Sequence, residues 1–401
     1  MEHRYLPLFC MAATKMGAGQ MDYRQLDQAI ELKTGGLSVG LHLTEAPGSV
    51  TSYEQSILLS SHCLDRNSAD MFHLWHSIFN QLRLEDTNRL ETLLRSLVGD
   101  LSNNLTQSGH QYAMTHAASC LTPTAQLNEM NGGISFIKRV KELTESQQYA
   151  PVLDALRRIA DALLAKENMR CALNSTPAAK DGAVDQLDRF LQQLHGSPVD
   201  QPMCWSHASG FRAATQRTHN VLPVPVNFTS MVVPGVPYLS PDYAPLRVLG
   251  NVMTAKFLHP EVREKGGAYG GGASASASGL FSFYSYRDPR SVETVQTFER
   301  SIEWALRGDY DDETVKEAKL RVFQRMDGPV SPSAQGMRLF LSHVSDDQLA
   351  AHRQQLIGVT KDDLLRVTQH YLQNPEAVGV TVIGPSNDVL AQDPSWLTLS
   401  T

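Results

Sequence analysis

The sequence has few cysteines and no excess of positive charge, and each shortage excludes a class of protein. Its five cysteines in 401 residues are odd in number, widely spaced and never arranged as C-x-x-C, which argues against a disulfide framework and a thiolate zinc site. Thirty-five Lys and Arg against 42 Asp and Glu give a net charge of −7. We therefore expect a reducing compartment and no nucleic-acid partner.

Long apolar runs and targeting segments are also missing. No stretch approaches the roughly 18 residues that a membrane helix needs, so we expect no membrane span. Residues 1–4 lead into YLPL without the apolar region of a signal peptide or an Arg- and Ser-rich transit segment. Any targeting signal would therefore lie outside this chain.

Motifs for several kinds of catalysis are absent from the sequence. Helical zinc peptidases need H-E-x-x-H or H-x-x-E-H, and neither occurs. The nearest approach, HLTE at 42–45, has Ala46 where a second histidine is required, and its simpler interpretation is a strand end. His73 and His76 lack a third ligand, so we interpret them as helix-surface histidines. We therefore expect no metal site in this chain. The phosphate-binding motif G-x-x-x-x-G-K-[ST] is also absent.

What the sequence does contain is an internal repeat. YLPL at 5–8 and YAPL at 243–246 each open an apolar, helix-like run. Each run is followed by a glycine pair, a strand, an Asp/Arg turn and an amphipathic helix. These are Gly35-Gly36, 56–63, 65–67 and 69–79 in the first copy, and Gly266-Gly267, 280–286, 287–289 and 292–306 in the second. A repeat of this length indicates tandem domains.

Further signals complete each copy of the repeat. Ser291 is placed to cap the helix at 292–306 and Gly308 to end it. Thr360 opens a capping box before a helix to about residue 373 and a strand at 378–383. The first copy offers a helix at about 150–165 and a strand at 169–173. These patterns predict an α+β fold of two tandem domains of the same topology, each an antiparallel sheet packed with helices.

Composition divides the chain into residues 1–195, a linker rich in Gly, Pro, Ser and His at 196–214, and residues 215–401. The second copy has an extended, proline-containing segment at 221–228 ahead of its helix. The first copy has nothing ahead of its helix. We therefore expect its domain to be truncated at the N-terminus and the chain to be the later part of a longer polypeptide.

The most distinctive stretch is KFLHPEVREKGGAYGGG at 256–272. Arg263 offers a fork of cationic donors and Tyr269 a phenolic donor, so together they could hold a peptide carbonyl or its oxyanion. Alternatively, Arg263 complements a helix dipole and Tyr269 packs on a neighbour within the first strand. The glycines either allow another backbone to approach or leave a strand edge to which an extended peptide could add.

REKGGAYGGG at 263–272, followed by FYSYRDP at 283–289, closely resembles the C-terminal half of the presequence-degrading, mitochondrial members of the pitrilysin/insulinase family of inverted-zincin metallopeptidases. Supporting stretches lie at 5–10, 30–36, 253–259 and 393–396. The resemblance implies four α+β domains in two halves that close around a chamber. Zinc would be bound by the N-terminal half, and this chain would supply the third and fourth domains without a metal.

The resemblance also implies roles for particular residues. Arg263 and Tyr269 would reach the scissile peptide and stabilise the oxyanion, and Gly266, Gly267 and Ala268 would contribute to substrate binding. Substrates would be presequences and other short unfolded peptides, degraded without ATP in the mitochondrial matrix, and the partner would be the N-terminal half of the same protease. This chain alone would be inactive. The alternative is a catalytically silent scaffold or peptide-binding module of the same fold.

Overall fold

The computed structural model describes residues 3–194 and 205–400. The chain divides into two compact units. The first comprises Met1–Leu43, Glu54–Asp100 and Ile137–Ser206, and the second comprises Thr44–Tyr53, Leu101–Phe136 and His207–Thr401. Much of the predicted linker at 196–214 lies outside the described residues, so the division at 195 and 215 stays a prediction.

Up to residue 194 the described chain is mainly helical. Its helices are α1 (Leu6–Ala12), α2 (Tyr23–Lys33), α3 (Ser68–Gln81), α4 (Thr87–Ala118), α5 (Pro123–Gly132), α6 (Ile134–Ser146), α7 (Tyr149–Leu163) and α8 (Lys180–Gln192). Its strands are β1 (Gly17–Ala18), β2 (Met21–Asp22), β3 (Leu37–Glu45) and β4 (Ser52–Ser61). Within the first unit, α1 packs against α7 and α3 against α8.

From residue 205 onward the described chain contains both strands and helices. The strands are β5 (Ser206–His207), β6 (Gln216–Val221), β7 (Phe228–Pro237), β8 (Gly270–Ser276), β9 (Ser278–Tyr286), β10 (Gly379–Gly384) and β11 (Leu397–Ser400). The helices are α9 (Tyr243–Met253), α10 (Val292–Arg307), α11 (Asp312–Met326), α12 (Met337–Ser342), α13 (Asp346–Gly358), α14 (Lys361–Val367) and α15 (Asp388–Gln392). Wider π-helical turns continue α9 over Thr254–Glu264 and α14 over Thr368–Leu372.

A six-stranded sheet with the order β11-β6-β10-β7-β9-β8 organises the second unit. It is antiparallel from β10 to β8, while β6 runs parallel to both β10 and β11. Phe281, Phe283 and Phe298 are fully buried in one core cluster with the apolar face of α9. Mixed helices and predominantly antiparallel strands confirm the predicted α+β class.

The predicted repeat is visible in the order of elements. In both copies two helical segments are followed by a glycine pair, two strands and a helix. These are α1, α2, β3, β4 and α3 in the first copy, and α9, Thr254–Glu264, β8, β9 and α10 in the second. The predicted capping box at Thr360 is also confirmed, as is the left-handed Gly308 that ends α10.

Two local predictions need correction. Residues 169–173 form no strand: Met169 has an extended backbone, but the segment joins no ladder. Ser291 does not cap α10, because its hydroxyl instead accepts a hydrogen bond at 3.0 Å from the Asn387 side chain. The proline-containing segment at 221–228 joins the end of β6 to the start of β7, in agreement with its predicted place at a strand end. No helix of the described residues is both long and apolar enough to cross a membrane.

Candidate functional site

The helix that carries Arg263 ends in a wide turn. Pro260 lies inside the π-helical segment, where a proline removes one backbone donor and disfavours regular α-helical geometry. The amide of Lys265 donates to the Pro260 carbonyl at 3.0 Å, a π-type bond across five residues. The helix therefore includes Arg263 in its last turn, whereas the sequence pattern places Arg263 after the helix.

A short loop returns from this helix to the sheet. The amide of Gly267 donates to the Arg263 carbonyl at 3.0 Å, and that of Ala268 donates to the Val262 carbonyl at 3.1 Å. Arg263 directly follows Val262, and Tyr269 directly follows Ala268. The second hydrogen bond therefore closes the loop between the chain neighbours of Arg263 and Tyr269.

The three small residues of this loop have different surroundings. Gly266 is buried, and a Cβ there would lie 2.3 Å from the Val262 carbonyl oxygen. Gly267 is exposed and has a left-handed φ of +84°, which favours glycine. Ala268 is only 3% exposed and belongs to the core. All three shape the loop, and their expected contacts with substrate stay a prediction.

Tyr269 lies immediately before β8 rather than inside it. Its amide donates to the Tyr286 carbonyl at 3.0 Å, and its ring stands edge-on to the Tyr286 ring with 5.6 Å between centroids. The Tyr269 side chain is nevertheless 71% exposed. One edge of the ring is therefore held by packing while the hydroxyl end faces solvent.

The ring of Tyr286 also packs against two residues, His110 and Phe228, that the sequence pattern did not connect with this site. Its ring lies 4.8 Å from that of His110 and 5.8 Å from that of Phe228. Gly109 allows this packing, since a Cβ there would lie 2.3 Å from the Phe228 ring, and Ser108 breaks the geometry of α4 just before it. Burial lowers the pKa of His110, so its imidazole stays neutral at pH 7 and packs as an aromatic ring.

The turn after Tyr286 is fixed by a buried carboxyl group. Asp288 accepts hydrogen bonds from the Thr294 hydroxyl at 2.7 Å and the Arg290 amide at 2.9 Å. Its backbone amide and carbonyl both pair with Asn227. Burial raises the pKa of Asp288. This turn holds Arg287 at a φ of +49°, with its guanidinium 5.5 Å from the centre of the Tyr286 ring.

The polar ends of Arg263 and Tyr269 are both available. Within residues 3–194 and 205–400, neither the Arg263 guanidinium nor the Tyr269 hydroxyl forms a hydrogen bond or ion pair. Both simpler interpretations also apply, because Arg263 lies in the last helical turn and Tyr269 packs on Tyr286. The structure places Arg263 and Tyr269 at the two ends of one short loop, and their joint catalytic role stays a prediction.

The glycine-rich strand β8 is the outermost strand of its sheet, but its edge is not open along its whole length. The Thr254 hydroxyl accepts from the Ala273 amide at 2.8 Å and lies 3.2 Å from the Ala273 carbonyl oxygen. A Cβ on Gly250 would lie 2.9 Å from the same oxygen. The close approach of α9 to β8 therefore explains the small residues at 250 and 273. A peptide strand could not pair with the backbone of Ala273, because its amide and carbonyl already contact the Thr254 hydroxyl.

The residues that the structure describes hold no group of three or more His, Cys, Asp or Glu side chains that could bind a metal ion together. HLTE at 42–45 lies at the end of β3, as the sequence indicates. The rings of His73 and His76 on α3 lie stacked with 6.2 Å between their centroids. The donor set of a zinc site is thus not assembled in the described part of the chain.

Two family models match the chain, one on each side of the predicted linker. The first, described as peptidase M16C associated, covers residues 2–143, and the second, the PreP C-terminal domain, covers residues 218–383. The mitochondrial presequence protease of Danio rerio is 44% identical over 98% of this chain. The chain belongs to the presequence protease family. It corresponds to the C-terminal part of that family's proteins and spans about 40% of the length of the Danio relative.

Solved structures share the fold at low sequence identity. A peptidase M16 inactive domain from Pseudomonas fluorescens matches with a TM-score of 0.64 and 14% identity, covering 95% of this chain and 87% of that domain. Pitrilysin matches with a TM-score of 0.64 and 12% identity, covering 100% of this chain and 41% of its own. The predicted family and fold are therefore confirmed.

Proposed function

We propose that this chain is the C-terminal, non-zinc half of an ATP-independent zinc metalloendopeptidase that degrades presequences and other short unfolded peptides in mitochondria. Family membership supports the peptidase class, and the names of its relatives support the substrate and the compartment. The proposed partner is the zinc-bearing N-terminal half. On its own, this chain is proposed to be inactive.

The observation that carries the proposal is the paired placement of Arg263 and Tyr269. The Ala268–Val262 hydrogen bond closes the short loop that joins them, and their polar ends have no partner among the described residues. A guanidinium fork and a phenol are both hydrogen-bond donors that match a carbonyl oxygen on which negative charge develops. We assign them the role of holding the scissile carbonyl and stabilising its tetrahedral oxyanion.

The metal of this reaction is assigned outside the chain. The described His, Cys, Asp and Glu side chains do not fit zinc, because no three of them are grouped. Zinc bound in an N-terminal half would supply Lewis-acid activation of water. The residues of this chain would bind and orient the peptide, with Gly266, Gly267 and Ala268 shaping the loop between the two donors.

The alternative function, a catalytically silent scaffold of the same fold, is favoured by the likeness to a domain described as inactive. The two proposals differ in one measurable property. If the chain contributes donors, side-chain changes at Arg263 and Tyr269 alter hydrolysis by the assembled halves. If it is a scaffold, only changes that disturb folding or assembly do so.

The deciding experiment mixes this chain with an N-terminal half that carries H-x-x-E-H and follows cleavage of a fluorogenic presequence peptide. Arg263→Ala and Tyr269→Phe are compared with Lys265→Ala, a matched control. Lys265 is an exposed cation two residues from Arg263, and within the described part of the chain it forms one ion pair, to Glu261. Loss of turnover in the first two variants, with assembly intact by gel filtration, supports the proposal, and unchanged turnover overturns it.

A further inference from the structure

A cavity in the second unit carries a concentration of positive charge that the proposed reaction does not use. It has a volume of about 350 Å³, within the range of small-ligand pockets. It opens between the end of β7, helix α9, the end of α11 and helix α12. Arg247, Arg325 and Arg338 line it, together with Tyr238 and the single acidic residue Glu45.

The three guanidinium groups have no acidic partner of their own. Among the described residues, Arg247, Arg325 and Arg338 form no ion pair with a carboxylate. Glu45 in the wall contributes one negative charge against three positive ones. The cavity therefore has a net charge of about +2 at neutral pH, since arginine does not lose its proton in proteins.

Arg247 is fixed in place without being neutralised. Its Nη1 donates to Nε2 of His352 at 2.9 Å, and its guanidinium lies 5.6 Å from the centre of the Tyr243 ring. Because a guanidinium only donates, this bond requires a His352 imidazole that accepts. Burial and the Arg247 charge lower the pKa of His352 to about 4, so the imidazole is neutral and the positive charge of Arg247 remains.

Two of these arginines also affect the pKa of Tyr238. Arg247 and Arg338 both lower the pKa of Tyr238, against a larger upward effect of burial. Two guanidinium groups from different helices therefore act on the same hydroxyl. Beside this polar wall lie the apolar side chains of Met326, Val344 and Leu349, which suit the carbon chain of an amino-acid residue better than a bare inorganic ion.

We propose that this cavity is a subsite for a peptide carboxylate, either the C-terminal group or an acidic side chain. Arg325 and Arg338 would donate paired hydrogen bonds to the two carboxylate oxygens, a geometry that a guanidinium supplies and a lysine does not. Because peptides are the proposed substrates, this assignment rests on the proposed function.

The test measures binding of the 401-residue chain to three fluorescein-labelled decapeptides of Ala, Gly and Ser by fluorescence anisotropy. The first ends in a free carboxylate, the second in an amide, and the third ends in an amide and has one internal Glu. We expect at least one of the acidic peptides to bind about ten-fold more tightly than the neutral amide. The peptide that gains affinity identifies the source of the carboxylate.

Variants of the lining arginines test whether the binding preference arises in this cavity. Arg325→Gln/Arg338→Gln should remove the preference for the acidic peptide, whereas Arg321→Gln, an exposed arginine on α11 outside the cavity, should keep it. Equal binding of all three peptides, or a preference that survives in the double variant, overturns the assignment. Because binding is measured without the N-terminal half, this result is separate from the hydrolysis assay that tests Arg263 and Tyr269.

Discussion

The ring of Tyr269 stands edge-on to that of Tyr286, with 5.6 Å between centroids and 84° between planes. Tyr269 is the more exposed partner, and Tyr286 is packed in turn by His110 and Phe228. The proposed donor thus stands at the outer end of an aromatic cluster. Tyr286 would act on the reaction only by positioning Tyr269.

This arrangement predicts different outcomes for two changes at Tyr286. Edge-to-face ring pairs contribute about 0.5–1.5 kcal/mol beyond area burial. Tyr286→Leu should therefore lower kcat of the assembled halves by roughly 3- to 10-fold, while Tyr286→Phe, which keeps the ring, should restore most of it. Circular dichroism controls for folding. A Phe variant as impaired as the Leu variant would show that positioning by the ring is the wrong explanation.

Removing either proposed donor should have a larger effect. Loss of one oxyanion-hole donor lowers kcat by about 10²- to 10³-fold in other hydrolases. We expect a loss of roughly 10²-fold for Arg263→Ala and Tyr269→Phe, and less than two-fold for Lys265→Ala. Steady-state cleavage of a presequence peptide by the mixed halves measures this. Since Arg263 and Tyr269 are both exposed, the melting temperature of each variant should stay unchanged.

The loop between the donors predicts a stability difference between two neighbouring glycines. A Cβ on Gly266 would lie 2.3 Å from the Val262 carbonyl oxygen, whereas a Cβ on Gly270 meets nothing within 4 Å. Gly266→Ala should lower the free energy of unfolding by about 1–3 kcal/mol, and Gly270→Ala by less than about 0.5 kcal/mol. Urea unfolding of the two variants measures this difference in the free energy of unfolding. Equal stability of the two variants would contradict the close packing at Gly266.

Much of the fold follows from local signals that the sequence displays. The helix at 292–307 has apolar residues at the helical period, the strand at 278–286 is rich in Phe and Tyr, and Thr360 with Asp363 forms the predicted capping box. These patterns depend on residues within one or two turns of each other, so they can be predicted without knowing the fold. Arg263 and Tyr269 were found together because one short loop carries both.

The parts that sequence reasoning missed depend on distant residues. His110 reaches Tyr286 from a helix more than 150 positions earlier in the chain, and no spacing rule connects them. Ser291 is a residue type that often caps helices. Its hydroxyl instead accepts a hydrogen bond from the Asn387 side chain. The arginines at 247, 325 and 338 lie on three different helices, so only their packing shows that they line one cavity.

The buried His352 predicts a dependence of stability on pH. Burial, together with the charge of Arg247, lowers its pKa from 6.5 to about 4 in the folded chain. The unfolded chain therefore binds the proton more readily, and protonation favours unfolding. Stability should be fully present above about pH 6.5 and fall as the pH is lowered toward 4, by up to about 3 kcal/mol.

Urea unfolding at several pH values measures this contribution. The variant His352→Gln should lose that part of the pH dependence, and the exposed-site control His73→Gln should keep it. His352 is buried and accepts a hydrogen bond from Arg247, whereas His73 is exposed. If His352→Gln and the unchanged chain lose stability in parallel between pH 6.5 and 4, another group is responsible.

Metal content provides the last prediction. Burial raises the pKa of Cys10 to about 12 and also raises the pKa of Cys63, Cys120 and Cys171, which disfavours the thiolate form that binds zinc. Zinc sites need at least three protein ligands, and the described residues group no such set. After dialysis against metal-free buffer, the chain should retain far less than one zinc per molecule by plasma mass spectrometry, whereas an N-terminal half with H-x-x-E-H should retain one. Tight one-to-one zinc in this chain would place a metal ligand set here and would require a different division of roles between the two halves.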